Sequence, residues 1–226
     1  MSSESSDGPE KMAAFFDARA AGYDAHMQRS VASFEDFYAA VAQPIPRTQR
    51  ALRILDIGCG TGLELDPIFE RAPNARVTGI DLSERMLAAL REKYAARMDR
   101  ITLIQGSYLE TPFEEGGYDY AVSVMTLHHL LPPRRALLYA KIRHALKLGG
   151  SYVEGDYVVS KAEEERLINA LRRKADSAGP GGEAGAYHVD IPLALETQRR
   201  LLIEAGFAGV EVIWHEGEAA VYVVQA

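Results

Sequence analysis

One segment constrains the fold more than any other: Leu55-Asp56-Ile57-Gly58-Cys59-Gly60-Thr61-Gly62, a β-rich run that passes straight into a loop with glycine at every second position. Glycine tolerates positive φ and has no Cβ, so such a loop brings backbone close to a ligand. A helical pattern over residues 62–71 follows at once. The loop therefore belongs at the carboxyl edge of a parallel sheet, where open α/β sheets bind ligands.

The alternation continues along the chain. Strands are predicted over residues 52–57, 76–81, 101–105, 118–124 and 150–156, with helices over 62–71, 84–96 and 134–146. Short β-rich runs alternating with helical ones imply parallel strands and crossover helices. Ser83 suits the N-cap of the second helix. Lys147-Leu148-Gly149-Gly150 suits a turn from helix to strand. A further helix over 163–175 precedes the glycine-rich Gly179-Pro180-Gly181-Gly182, read as a mobile loop. A helix over 193–205 stops at Gly206, and runs at 210–214 and 219–224 make an antiparallel hairpin at the sheet edge. Ahead of all this, Phe15, Phe16, Tyr23, Phe34, Phe37 and Tyr38 recur among alanines, implying one or two helices that end before Pro44 and Pro46. The expected fold is α/β, a doubly wound, mostly parallel seven-stranded sheet of Rossmann-like form. It carries an antiparallel C-terminal hairpin and an N-terminal helical lid. Within a single domain we expect a disordered tail at 1–10, the lid at 11–45 and a ligand-binding core at 46–158. An acceptor-side insertion then spans 159–192, and a helix and closing hairpin 193–226.

Composition removes other classes. With 226 residues, 47% of them hydrophobic, the chain buries one core. A formal charge of −7 and a pI near 5.4 disfavour attraction to a phosphate backbone, so no nucleic-acid partner is expected. Cys59, the one cysteine, can form neither an internal disulfide nor a cysteine-rich metal site. No leader pattern precedes residue 30, which makes the cytoplasm the expected compartment. The most apolar stretch, 118–131, is broken by Asp119, Ser123 and two histidines, so no membrane span is expected. Nothing here sets the oligomeric state.

Two cofactor classes compete for the glycine loop. A dinucleotide fingerprint G-x-G-x-x-G would need glycine at position 63, which is Leu63. Asp56, just before the loop, would repel a pyrophosphate but help to hold an ammonium group, directly or through water. About twenty-five residues on, Asp81 ends the second strand, where a carboxylate can accept from both ribose hydroxyls. An amino-acid end, a ribose and no phosphate describe S-adenosylmethionine.

At these residues the chain resembles the class I S-adenosylmethionine-dependent methyltransferases, in particular their small-molecule branch. The resemblance runs from about Phe15 to the C-terminus. It rests on the glycine loop, Gly79-Ile80-Asp81-Leu82-Ser83, Gly106-Ser107-Tyr108, the Tyr118-Asp119 strand ending near Leu127-His128-His129-Leu130, and Leu146-Lys147-Leu148-Gly149-Gly150. Phe16-Asp17 and Tyr23-Asp24 look like the lid helix, and Glu204-Ala205-Gly206-Phe207 also fits. The resemblance implies that Asp56, Gly58 and Gly60 surround the methionine end, with Cys59 and Gly62 in the same cofactor-binding loop, Cys59 as a small packing residue rather than a nucleophile. Asp81 then holds the ribose, and Leu82 and Met86 flank adenine. Many relatives carry aspartate after Gly106; Ser107 can still accept the adenine amino group, and Tyr108 adds a stacking face. Ser123 and Met125 would lie beneath the sulfonium, with Tyr23 over it.

Methyl transfer from a sulfonium mainly needs alignment and exclusion of water. Where the acceptor must lose a proton, His128 or His129 is the candidate base; shaping the pocket wall is the competing role. Asp156 and Tyr157 face the acceptor edge. Tyr187-His188-Val189-Asp190 reads as a substrate-lid segment, and no metal site is expected. Arg172-Arg173-Lys174 reads as a solvated helix face. The leading function is methylation of a small-molecule acceptor. Two alternatives are conversion of S-adenosylmethionine into a charged derivative, which needs a cationic anchor such as Arg19, Arg199 or Arg200, and a non-catalytic binding module. Ser123-Val124-Met125-Thr126 lacks the Asn-Pro-Pro-Tyr motif of amino-methylating nucleic-acid enzymes.

Overall fold

The computed structural model describes residues 11–178 and 189–226. The tail at 1–10, Gly179-Pro180-Gly181-Gly182, Tyr187 and His188 lie outside the described residues. Seven strands, β1 (Arg53–Ile57), β2 (Arg76–Asp81), β3 (Ile101–Gln105), β4 (Tyr118–Val124), β5 (Leu146–Tyr157), β6 (Ala208–Glu216) and β7 (Ala219–Gln225), form one sheet. Its order is β3-β2-β1-β4-β5-β7-β6. The first five strands are parallel, and β7 runs antiparallel to both β5 and β6. The expected mixed sheet is the one that forms. Its terminal hairpin folds back so that β7 lies inside and β6 is the edge.

Among the described residues eight α-helices accompany the sheet: α1 (Met12–Arg19), α2 (Tyr23–Ser30), α3 (Phe34–Ala42), α4 (Leu65–Arg71), α5 (Glu84–Lys93), α6 (Pro132–Ala145), α7 (Lys161–Ala178) and α8 (Leu195–Glu204). Side chains alternate across a strand, and β1 uses both faces. Ile54 joins the core formed with α3, α4 and α5, while Leu55 and Ile57 join the core formed with α6, α8 and β7. All three are fully buried, each worth roughly 1.5–3 kcal/mol relative to exposure. Asp56 falls on the α4 side by the same alternation.

Several boundaries differ from those expected, for local reasons. α4 starts at Leu65, not at residue 62, because Gly60 and Gly62 sit at φ +48° and +73°, outside helical space. Lys147-Leu148-Gly149-Gly150 is not a free turn but the irregular start of β5. There the pairing with β4 shifts register, and Gly149 adopts φ +77°. The N-terminal segment makes three helices rather than one or two. Only its first part covers the sheet edge. Phe37 and Val41 of α3 are fully buried and press on β5 at Gly155, where a Cβ would stand 2.8 Å from Phe37 Cζ. Ser83 caps α5 as expected, its Oγ accepting from Met86 N at 3.1 Å.

Candidate active site

Strand order reverses between β1 and β4, and the loops leaving these two strands meet at that switch point. Gly58 makes the meeting sterically possible. A Cβ there would lie 2.3 Å from Thr126 Oγ1, and its φ of +68° suits glycine. Above this junction opens a solvent-connected cleft, at the kind of switch point where α/β sheets take small molecules. Among the residues expected at the ligand, Tyr23, Gly58, Gly60, Asp81, Leu82, Met86, Ser107, Tyr108, Met125 and His129 line it. Met12, Phe16, Leu109, Thr126 and Leu130 complete the wall. Met125 holds φ +49°, a conformation costing on the order of 1–3 kcal/mol that structures tend to retain at functional positions. Its N–H donates to Gly155 O at 2.8 Å, which holds it there.

Asp81 organises the β2 side. One carboxylate oxygen accepts from Gly60 N at 2.9 Å and the other from Ser83 N at 2.8 Å. Each oxygen keeps a further lone pair. Burial raises the Asp81 pKa, partly offset by these backbone donors. A Cβ on Gly60 would meet nothing within 4 Å, so the loop leaves space beside that carboxylate. Two aspartates of the N-terminal segment fasten it over the cleft. Asp17 Oδ1 accepts from Ser83 Oγ at 2.5 Å and Arg85 N at 3.2 Å. Asp24 accepts from Thr61 Oγ1 at 2.5 Å and Lys93 Nζ at 2.5 Å.

Behind the glycine loop, sequence reasoning missed a partner of Asp56. Glu64, at the mouth of α4, is buried beside it, and neither Asp56 oxygen nor Glu64 Oε1 finds a donor among the described protein groups. Burial, then the facing Glu64 carboxylate, pushes Asp56 well above the carboxylate range, and burial pushes Glu64 up to about 7. Two carboxyls so placed share a proton or attract a cation. In sequence, an acid at a helix start reads simply as a companion of the helix dipole, so no signal singled Glu64 out. This orphaned acidic pair behind the loop, the Asp81 carboxylate and a lining with no Lys or Arg among its described residues fit a cationic, phosphate-free nucleoside cofactor.

The remaining expected contacts lie off the cleft. Asp56 is buried behind the loop rather than on the lining. Cys59 is buried with Sγ against Gly79, where a Cβ would be only 2.8 Å away; it packs strand against loop. Gly62 faces Leu65, Leu90 and Tyr94, and its carbonyl accepts from Tyr94 Oη at 2.8 Å. Gly106 backs onto Thr111. Ser123 points the other way, its Oγ 2.6 Å from Tyr152 Oη, because alternation along β4 turns it from the cleft.

On the other side of the switch point, the turn Leu127–His129 after β4 brings two histidines together, ring centroids 4.0 Å apart. His129 lines the cleft and His128 does not. Asp156 at the end of β5 grips His128 twice, Oδ2 accepting from its backbone N at 2.9 Å and Oδ1 lying 2.5 Å from Nδ1. Burial alone would raise Asp156, but His128, Arg135 and the Tyr157 N–H outweigh it and hold the carboxyl below its usual range. Burial, then His128, lowers the pKa of His129. Val189 O and Asp190 Oδ1 approach His129 Nδ1 at 3.0 and 3.1 Å. Asp190 thus sits beside His129. Tyr157 stays beside His128, ring centroids 5.1 Å apart.

Residues 54–150 match a family described as a methyltransferase domain. The chain is 29% identical over 185 residues to carboxy-S-adenosyl-L-methionine synthase of Wolinella succinogenes, covering 76% of this chain and 75% of that protein. It is 27% identical over 223 residues to an uncharacterized methyltransferase of Geobacillus sp. strain WCH70, covering 96% and 94%. Among solved structures, a Nostoc punctiforme protein assigned provisionally to the O-methyltransferases superposes with a TM-score of 0.70 at 19% identity. That alignment covers 98% of this chain and 63% of the other, so this chain spans less than two thirds of it. At such identity the likeness shows the shared fold. Among the described residues no helix is long and apolar enough to cross a membrane.

Proposed function

The chain belongs to the class I S-adenosylmethionine-dependent methyltransferases, and from that premise we propose that it methylates a small molecule held beneath its N-terminal helices. The observation that carries this is the closure of the cleft by Met12, Phe16 and Tyr23, from a segment fastened by Asp17 and Asp24. A polymer would need an open groove past these side chains. In this reading α1 and α2 are the lid, and residues 159–192 build the acceptor side through Val189 and Asp190.

Bound S-adenosylmethionine supplies a methyl group already activated on a sulfonium. The chain's residues then have to align the acceptor and exclude water. Asp81 accepts from the ribose hydroxyls with the lone pairs its backbone bonds leave over. Leu82 and Met86 flank adenine, Ser107 accepts from its amino group, and Tyr108 offers a ring face. Asp56 and Glu64 favour the ammonium end, directly or through water. His129, on the wall, and His128, held by Asp156, mark the side on which a hydroxyl or ammonium acceptor gives up its proton.

Conversion of S-adenosylmethionine into a charged derivative is the second reading, favoured by the Wolinella succinogenes relative. It needs a cation on the cleft. Arg19 stacks on Phe15, Arg199 donates to Val210 O, and Arg200 pairs with Glu204; none of the three lines the cleft. Incubation with S-adenosylmethionine and a panel of phenols, alcohols, amines and carboxylic acids, read by mass spectrometry, tests both. The proposal expects one acceptor to gain a methyl group with release of S-adenosylhomocysteine. A heavier cofactor derivative with no methylated acceptor would replace it with the second reading.

A further inference from the structure

We infer that His128, His129 and Asp190 form a site for one divalent transition-metal ion of the zinc class, on the acceptor wall of the cleft. One ligand atom from each residue lies within 4.8 Å of the other two. Asp190 is distant in sequence from the adjacent histidines but bound to them in one structure. Ile191 N donates to His128 O at 2.7 Å, and Val158 bridges Leu193 just beyond.

The tautomer of His128 follows from its neighbour. With Nδ1–H given to Asp156, the ring's lone pair lies on Nε2, and Nε2 faces Asp190 Oδ1 at 3.8 Å. A ring held in this tautomer offers that lone pair to a cation placed between it and the carboxylate. His129 turns Nδ1 to the same oxygen at 3.1 Å and to Val189 O at 3.0 Å, so the ion takes the place of the proton these oxygens otherwise accept. Two imidazoles and a carboxylate thus converge on one point. Donor atoms around tetrahedral zinc, at bonds of about 2.0–2.1 Å, stand about 3.3–3.5 Å apart, and the separations 3.1 and 3.8 Å bracket that value. The buried Asp156 behind His128 is the arrangement that orients metal-bound imidazoles and raises their basicity.

Two nitrogens and one carboxylate oxygen suit zinc, cobalt or nickel better than magnesium. Three protein ligands leave a fourth position, as in catalytic zinc sites. Because His129 lines the cleft, that position serves an oxygen of the acceptor, which puts hydroxylated small molecules first among acceptors. The histidines then act as ligands, and the ion favours loss of the acceptor proton. This assignment of the acceptor rests on the proposed function; binding of the ion does not.

The test is calorimetric titration of the chain, carrying no polyhistidine tag and stripped with a chelator, with zinc chloride. Wild type should take up one equivalent at micromolar concentration or tighter. Asp190→Asn should bind about tenfold more weakly or worse, and His128→Gln should lose the equivalent. His26→Gln, on the exposed face of α2, should bind as wild type. Asp190 is exposed, so its variant should keep the wild-type melting transition, and cobalt bound to wild type should show the intense visible bands of four-coordination. Wild-type protein that takes up no zinc below about 0.1 mM, or Asp190→Asn that binds as tightly as wild type, overturns the site. Titrating the same preparations with S-adenosylhomocysteine separates the two claims: cofactor binding without zinc binding overturns the ion site and leaves the proposed function standing.

Discussion

The two walls of the cleft are built on different principles. The cofactor wall comes chiefly from residues 56–86, with Ser107 and Tyr108 beyond β3, and its shape is set by backbone: positive φ at Gly58 and Gly60, N–H groups held on Asp81, a capped helix at Ser83. The acceptor wall joins the ends of β4 and β5 to residues 189–191, and side chains define it: Asp156 on His128, Asp190 on His129. The first wall fixes where a ligand sits with little freedom left. The second depends on contacts between residues far apart in sequence, so it can change acceptor without disturbing the first. The fold separates what must stay constant from what can vary.

The sharpest way to break this contrast lies within the loop itself. Gly58→Ala drives a Cβ into Thr126 at the junction of the two walls and should cost about 3 kcal/mol or more, from overpacking and backbone strain together. Gly60→Ala meets open space and should cost about 1–2 kcal/mol while abolishing cofactor binding, because its Cβ enters the cleft. Thermal unfolding with and without S-adenosylhomocysteine distinguishes them; equal destabilisation would mean that the loop has no such division of labour.

The acidic pair gives the next effect. Glu64 has a folded pKa of about 7, above the ordinary glutamate value. Below the ordinary value both states are protonated and nothing is lost. As pH rises towards 7 the unfolded chain ionises first and stability falls, and above about 7 the penalty is complete, on the order of 3 kcal/mol. Glu64→Gln should therefore stabilise the ligand-free protein at pH 8 while weakening S-adenosylmethionine binding. Near pH 6 the wild type should release a proton on binding its cationic cofactor, seen as a dependence of binding enthalpy on the buffer. A variant less stable than wild type at pH 8 would contradict the shared-proton account.

The smallest expected effect is at the lid. Asp17→Asn and Asp24→Asn should each weaken cofactor binding by about 1 kcal/mol, since the amide oxygen can still accept from Ser83 or Thr61 without the charge, and should leave the melting temperature of the ligand-free sheet nearly unchanged. Limited proteolysis should cut the variants within α1 and α2 sooner than wild type. A truncation that removes the lid should stop before α3, because loss of Phe37 and Val41 would uncover β5.

The same contrast explains what was legible in the sequence. The bounds of β2, β3 and β4 followed from β-rich runs between turn signals, and the glycine loop and Asp81 from spacing, because backbone requirements leave marks on residue type. Ser123 was misplaced for want of one geometric fact, the side to which β4 turns its alternate residues. Cys59 and Gly62 were drawn towards the ligand by their position in the loop, although both pack into the core. Glu64 was missed because only burial distinguishes it from an ordinary helix-start acid. The convergence of Asp190 on the histidine pair needed the path of the chain from α7 back to β5, which no local pattern encodes.

The independence of the two walls is best tested by titrating S-adenosylhomocysteine into wild type, Asp81→Ala and Asp156→Asn side by side. Loss of the ribose acceptor should weaken binding by about 2–4 kcal/mol, whereas Asp156→Asn should bind the ligand as wild type does and lose only turnover. Unchanged affinity in Asp81→Ala, or an equal loss in both variants, would contradict the division of the cleft into a cofactor wall and an acceptor wall.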